Sequence, residues 1–173
     1  MSRRIAAAVL SLCIGTATAE GIITRPSPYS VEETSERLVS ALEQRGLTVV
    51  GRIDHAAAAA KQGAKLPASQ LVLFSDPQVA ADLLRCQPTI GLELPQKALV
   101  WEDAAGKVRL SYPDPEAMVV RHGIGDCGES VTRLQAALKD TAFAATSEEP
   151  ATLSASGPQP PDGNASTDYR DRQ

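Results

Sequence analysis

The feature that most restricts the fold is a hairpin pattern in the second half of the chain. Residues 96–101 (QKALVW) and 107–112 (KVRLSY) are rich in apolar and aromatic side chains, and five residues that end in Gly106 separate them. Two strand-like segments joined by a short loop that contains glycine are typical of a β-hairpin. We therefore expect antiparallel strand pairing to be part of this fold.

Helix and strand patterns alternate on both sides of the hairpin. Ser30 and Glu33 form a capping box that begins a helix, and Gly46 ends it. The other predicted elements are strands at residues 47–53 and 70–74 and helices at residues 56–61, 77–85, 115–121 and 130–143. This order predicts an α+β domain in which helices pack on one face of a mainly antiparallel sheet.

The N-terminal segment, residues 1–19, is predicted to be a cleavable secretory signal peptide. Arg3 and Arg4 precede an apolar run at residues 5–14, and small residues follow up to Ala19. The apolar run is well short of the roughly 20 residues needed to cross a bilayer, so we expect no stable membrane anchor. Cleavage before Glu20 would yield a periplasmic or secreted protein.

The C-terminal segment, residues 145–173, differs from the rest in composition. It is rich in Pro, Ser, Gly and Asp, and one Leu is its only large aliphatic residue. Such a segment cannot bury enough apolar surface to offset the entropy lost on ordering, which predicts a disordered tail. A single domain at residues 20–144 remains.

The charge balance restricts the possible partners. The chain has 17 Lys and Arg against 21 Asp and Glu, a net charge of −4. No basic cluster accompanies this acidic balance. Phosphate backbones require stripes of Lys or Arg, so we expect no nucleic-acid partner.

Seven short segments, in order along the chain, resemble the bacterial family known as domain of unknown function 302. They are residues 30–34 (SVEET), 53–56 (IDHA), 74–77 (FSDP), 91–95 (GLELP), 99–103 (LVWED), 111–115 (SYPDP) and 121–124 (RHGI). The chain departs from the family pattern at two turns, with Ser75-Asp76 in place of Gly-Asn and Pro113 in place of Asn. The resemblance implies an α+β domain of the TATA-box-binding-protein-like class that forms a homodimer. It implies no established activity.

Four residues are candidates for a ligand site. His55 and His122 are the only two histidines, and each lies at the end of a predicted element. One hypothesis is that both imidazoles face one cleft and bind a metal, a haem or an anionic small molecule. The alternative is that each histidine caps a helix or hydrogen-bonds a turn. Trp101 and Tyr112 either line the same ligand pocket or belong to the core.

Cys86 and Cys127 are the only cysteines that follow the predicted leader. In an oxidising compartment they favour one intramolecular disulfide. Two alternatives remain: two free thiols, or a metal site in which Cys127 joins His122.

Two classes of function are consistent with this sequence. The favoured one is a non-catalytic binding or sensor module that holds a small ligand or a metal at a His-lined cleft or a dimer interface. It is favoured because no nucleophile pattern and no cofactor motif accompanies the histidines. The other class is a small periplasmic enzyme of redox or hydrolytic chemistry that uses His55 and His122.

Overall fold

Five strands form one antiparallel sheet in the computed structural model, which describes residues 21–124 and 127–148. They are β1 (Ile22–Pro26), β2 (Thr48–Asp54), β3 (Ser69–Ser75), β4 (Gln96–Glu102) and β5 (Val108–Pro113). Their order across the sheet is β1-β5-β4-β3-β2. The predicted hairpin is β4 and β5, in which Leu99 lies opposite Ser111 and Trp101 opposite Arg109. The antiparallel pairing predicted from the loop length is therefore confirmed.

The described residues form five α-helices and one 3-10 helix. They are α1 (Val31–Gln44), α2 (His55–Ala60), α3 (Pro77–Cys86), a 3-10 helix (Pro88–Glu93), α4 (Pro115–His122) and α5 (Gly128–Thr146). Helices α1 and α5 contact each other and the strands, while α3 and α4 pack against α5. The predicted α+β fold, with helices on one face of an antiparallel sheet, is confirmed. No helix within the described ranges is long and apolar enough to cross a membrane.

Short polar side chains begin four of the helices. Each accepts a hydrogen bond from a backbone N–H in the first turn of its helix, which satisfies a donor that has no partner inside the helix. The capping residues are Ser30 for α1, Asp54 for α2, Asp76 for α3 and Asp114 for α4. These bonds fix where the chain leaves one element and enters the next.

The core lies between the sheet and the helices. On the covered face of the sheet, Val72, Phe74, Val100 and Leu110 are at most 1% exposed. Helices α1 and α5 bring buried leucines against them, namely Leu38, Leu42, Leu134 and Leu138. Burial of apolar side chains of this size is the main source of the domain's stability.

The ends of the domain differ from the sequence-based prediction. Strand β1 was not expected, and it pairs with β5 so that Ile23 lies opposite Tyr112. Helix α5 continues to Thr146, and Ala145 is fully buried, so the domain extends past the predicted boundary at residue 144. The predicted signal peptide, and the rest of the predicted tail from residue 149, lie outside the described residues.

Candidate functional site

His122, the last residue of α4, has both ring nitrogens engaged. Its Nδ1 lies 3.0 Å from the hydroxyl oxygen of Thr89, and its Nε2 lies 3.3 Å from Oε1 of Glu93. Both partners belong to the 3-10 helix, and the His122 side chain is only 7% exposed. His122 therefore ties α4 to the 3-10 helix, and neither nitrogen is presented to a ligand.

Glu93 accepts hydrogen bonds from two neighbouring residues of α4. The guanidinium of Arg121 and Nε2 of His122 both donate to Oε1 of Glu93. Burial is the largest single influence on the pKa of this carboxyl and raises it, but the two hydrogen bonds and the positive charge of Arg121 outweigh it. The pKa of Glu93 is therefore lowered from its ordinary value of 4.5. Glu93 is held as a carboxylate in a structural contact.

His55 lies at the opposite end of the sheet from His122. It is an exposed residue that begins α2 directly after β2, where antiparallel β3 begins. The 3-10 helix that holds His122 precedes β4, whose first residue Gln96 lies opposite Phe74 near the end of β3. The hypothesis that both histidines face one cleft of a single chain is therefore wrong.

Cys86 and Cys127 form a disulfide, with their Cα atoms 6.3 Å apart. The bridge joins the last residue of α3 to the residue before α5, in agreement with the favoured prediction. Because its sulfur is bonded to Cys86, Cys127 is not a thiolate ligand, and the predicted metal site of His122 and Cys127 is wrong. No group of three or more His, Cys, Asp or Glu within residues 21–124 and 127–148 has an arrangement that could hold a metal.

The face of the sheet opposite α1 and α5, called here the open face, carries a row of side chains that crosses all five strands. The strand register sets Ile53 opposite Leu71, Leu71 opposite Leu99, Leu99 opposite Ser111 and Ser111 opposite Thr24. Ile53 is 41% exposed, and the two leucines are partly exposed. Helix α2, which follows the β2 edge, buries none of its six residues. The apolar part of the row therefore remains accessible.

Trp101 belongs to the same open face. Its indole N–H donates to the Ser111 hydroxyl at 2.9 Å, and that hydroxyl lies 2.8 Å from the hydroxyl of Thr24. These bonds fix the orientation of the indole ring beside the apolar row. Of the two aromatic residues predicted to line a pocket, Trp101 is thus on an accessible surface.

Tyr112 lies on the other face of the sheet. It is 4% exposed and belongs to the core, where burial raises the pKa of its phenol. Neighbouring residues of a strand point to opposite faces, so Ser111 and Tyr112 are on different sides. The Tyr112 side chain thus belongs to the core, the alternative that the sequence left open, although Tyr112 is also among the residues that line the open-face depression described next.

The open face contains a shallow depression of about 130 Å³. Its lining is largely apolar, and Lys97 and Ser111 are polar residues at its wall. The other lining residues are Ile22, Leu71, Leu99, Tyr112 and Pro113. Such a site offers an apolar floor together with one positive charge. It suits a small molecule that has an apolar body and a negatively charged group.

Sequence reasoning did not identify this face as a site, although a signal for it exists. Residues 70–74 and 96–101 are nearly continuous apolar runs rather than alternating ones. In an antiparallel sheet with one face in water, alternation is the normal pattern. A continuous run in such a sheet means that both faces carry apolar side chains.

The chain is similar to known proteins in both sequence and fold. The model of a family described as "Domain of unknown function DUF302" matches residues 23–142. A crystal structure of an uncharacterized conserved DUF302 protein from Bacillus stearothermophilus superposes with a TM-score of 0.67 over 73% of this chain and 99% of that one, at 22% identity. That likeness shows the fold.

Longer proteins also contain a similar segment. The chain is 42% identical over 105 residues to proteins named "Fluoride-specific ion channel FluC 1" from Brucella suis and Brucella abortus. The match covers 61% of this chain and 41% and 39% of those two proteins. The chain thus spans about 40% of the length of these relatives.

Proposed function

Because the chain belongs to the DUF302 family of domains of unknown function, we propose a function from its own geometry: it is a non-catalytic binding module that holds a small ligand on the open face of its sheet, at the interface of a homodimer. The ligand has an apolar body and a negatively charged group. The family resemblance supports the homodimer. The geometry of the open face supports the proposal that a ligand of this kind binds there.

The observation that carries this proposal is the apolar row on the open face. Ile53, Leu71 and Leu99 lie side by side on adjacent strands and are only partly covered. A sheet that has one face in water normally has polar side chains there, and contiguous exposed apolar surface marks interaction sites. A second copy that packs its own open face on this one would cover the row and enclose the depression.

The charge of Lys97 supports an anionic group on the ligand. Lys97 lines the depression beside apolar side chains and forms no direct salt bridge among the residues that the structure describes, although its charge also helps to lower the pKa of Glu93. When the depression is enclosed, a buried cation needs a counter-charge. A ligand carboxylate, phosphate or sulfonate would supply it.

The enzymatic alternative has less support. His55 and His122 lie at opposite ends of the sheet, and the His122 ring makes two hydrogen bonds within the domain. General acid or base catalysis requires a titratable group within hydrogen-bond reach of the substrate. The geometry of neither histidine favours that role in a shared site.

Export is part of the proposal. Its support is the leader-like sequence of residues 1–19 together with the Cys86–Cys127 bridge. Disulfides persist mainly in oxidising compartments such as the periplasm or the outside of the cell. The binding module would therefore meet its ligand outside the cytoplasm.

A second candidate is a role in fluoride handling. The observation that favours it is the 42% identity to a segment of proteins named fluoride-specific ion channels. A titration of the ¹⁵N-labelled protein with sodium fluoride, with sodium chloride as the control, tests it. Saturable shifts that only fluoride produces would support the candidate, and identical responses to both salts would overturn it.

The main proposal is tested by placing a charge in the apolar row. Leu99→Lys changes the centre of the open face, and Val120→Lys is the matched control because Val120 is 83% exposed on α4. Light scattering after gel filtration should give a dimer for wild type and Val120→Lys and a monomer for Leu99→Lys. A monomeric wild type, or a dimer that Leu99→Lys leaves intact, would overturn the homodimer on this face.

Ligand binding is measured with 8-anilinonaphthalene-1-sulfonate, which has an apolar body and a sulfonate. Wild type should bind the probe saturably, and Lys97→Ala should weaken binding because the sulfonate loses its cation. Lys107→Ala is the control, since Lys107 lies in the exposed β4–β5 loop. Equal binding by all three proteins would show that the depression is not the site.

A further inference from the structure

The two halves of the Cys86–Cys127 bridge lie in different environments. Cys86, the last residue of α3, is exposed. Cys127, the residue before α5, is 6% exposed and belongs to the hydrophobic core. The bridge therefore runs from the surface of the domain into its interior, and solvent has unequal access to its two sulfurs.

This asymmetry restricts how the bridge can react with thiols. A thiolate attacks one sulfur of a disulfide and displaces the other, and the rate depends on access to the attacked sulfur. The displacement is in line, so the thiolate approaches from the side opposite the departing sulfur. For Cys86 that side faces solvent, because its partner lies inside, whereas for Cys127 it faces the core. In the folded domain only the Cys86 sulfur is open to attack.

The displaced sulfur of Cys127 has a hydrogen-bond acceptor in its buried position. Its Sγ lies 3.9 Å from the carbonyl oxygen of Asp82 on α3, and as a thiol it can donate to that oxygen. Opening of the bridge therefore leaves no buried S–H group without an acceptor. The same contact continues to join the beginning of α5 to α3.

Other contacts hold α3 in place when the bridge is open. Val79 and Leu83 of α3 are at most 4% exposed and belong to the core. At the N-terminal end of α3, Asp76 lies 3.8 Å from Arg133 of α5. Burial of aliphatic side chains stabilises this packing independently of the disulfide. Exchange at Cys86 therefore requires no movement of α3.

From this geometry we infer that Cys86 is a site of reversible modification by low-molecular-weight thiols. The incoming thiolate forms a bond to Sγ of Cys86, the bond between Cys86 and Cys127 breaks, and Cys127 leaves as a thiolate that takes a proton from solvent. One disulfide replaces another, so the step consumes no external oxidant. Attack by Cys127 on the mixed disulfide re-forms the bridge and releases the small thiol. This site does not depend on the function proposed for the open face.

Reduced glutathione is the probe, and the substrate is the full chain with its bridge intact. The folded protein is incubated with excess glutathione, the reaction is stopped with acid, and free thiols are labelled with N-ethylmaleimide. Trypsin then places Cys86 and Cys127 on separate peptides, residues 86–97 and 122–133. Mass mapping should find glutathione on Cys86 in at least about tenfold excess over Cys127, because only Cys86 is accessible. Circular dichroism before the acid step verifies that the protein is folded.

The matched control is the same reaction in concentrated urea. Unfolding exposes both sulfurs, so glutathione should attach to Cys86 and Cys127 in similar amounts. Two variants give a second measurement: the Cys86 thiol in Cys127→Ser should react with oxidised glutathione at least about tenfold faster than the Cys127 thiol in Cys86→Ser. Equal amounts of glutathione on the two cysteines of the folded protein, an excess on Cys127, or no adduct until the protein unfolds would overturn the site.

Discussion

The guanidinium of Arg37 lies over the ring of Tyr29, with its Cζ atom 4.2 Å from the ring centroid. From this position Arg37 donates hydrogen bonds to the carbonyl oxygens of Ala144, Ala145 and Ser147, at 3.1, 3.1 and 2.8 Å. The Tyr29 hydroxyl donates to the same Ser147 oxygen at 3.0 Å. Residues of α1 and the segment before it thereby cap the C-terminus of α5, whose last carbonyls have no partner within the helix and carry partial negative charge.

Replacement of Arg37 by Met should destabilise the domain by about 2–3 kcal/mol, because three bonds from a charged donor are lost and carbonyls are left unsatisfied. Arg37→Lys should recover only part of this, since an ammonium lacks the planar fork that reaches several acceptors. Urea unfolding measures both changes. Arg45→Met is the control: its exposed ion pair with Asp140 should contribute less than about 1 kcal/mol. Equal losses for Arg37→Met and Arg45→Met would contradict the capping role.

Truncation of α5 should show that the domain extends past residue 144. A chain that ends at Ala144 loses buried Ala145 and Thr146 as well as the Ser147 carbonyl bound by Arg37, and its melting temperature should fall by several degrees. A chain that ends at Glu148 keeps all of these contacts and should melt close to the full chain. If both truncations melted alike, the last turn of α5 would contribute nothing.

The contact between Glu93, Arg121 and His122 should make stability depend on pH. Because the pKa of Glu93 in the folded protein is below its usual 4.5, the carboxylate stabilises the fold above about pH 4.5. That contribution is lost as the pH falls through the folded pKa. Glu93→Gln should therefore be less stable than wild type at pH 7, and the difference should shrink below pH 4.

Urea unfolding at a series of pH values measures this dependence on Glu93. Glu32→Gln is the control, because Glu32 is exposed in the first turn of α1. A stability difference between Glu93→Gln and wild type that stayed constant down to pH 3 would rule out the ionic contribution.

Thiol titration of the unfolded, unreduced protein isolated from its own compartment should find close to no free thiol. The Cys86–Cys127 bridge closes a segment with a sequence separation of 41 residues. Its removal in the double variant Cys86→Ser/Cys127→Ser should cost about 3–4 kcal/mol according to the chain-entropy model. Two free thiols per folded chain would be incompatible with the bridge.

Export can be tested through the N-terminus of the mature protein. Signal-peptide cleavage after Ala19 predicts that protein from the periplasm or medium begins at Glu20. Edman sequencing or intact-mass measurement gives the answer. Recovery of a chain that starts at Met1 in the membrane fraction would show that the leader is retained.

The positions at which most helices of this domain begin follow from residues close to the helix ends. Ser30 and Asp76 accept hydrogen bonds from N–H groups two or three residues later, and the residue types alone predict these caps. The β4–β5 hairpin follows in the same way from a short loop that contains Gly106. Strand β1 lacked such a signal, because its residues are mostly exposed and become a strand through pairing with β5.

The sequence identified the histidines and cysteines as candidate functional residues, but it did not show which of the histidines lie close together in space. Each histidine was correctly expected at the end of an element. Whether His55 and His122 share a cleft depends on the order of strands in the sheet, which places them at opposite ends. The disulfide was favoured because only two cysteines follow the predicted leader, so pairing Cys86 with Cys127 required no knowledge of the topology.

The sequence by itself thus determined the fold class, the caps and the hairpin, and it favoured the pairing of the two cysteines, because these depend on neighbouring residues or on composition. Only the tertiary structure decided which side chains form a surface. The open-face row joins Thr24 to Ser111 across 87 residues of sequence, and it includes Ile53, Leu71 and Leu99 from three further strands. The burial of Cys127 likewise depends on contacts that form only after the helices pack on the sheet. Such contacts depend on strand order and register, which are set by the packing of the whole chain rather than by local propensity.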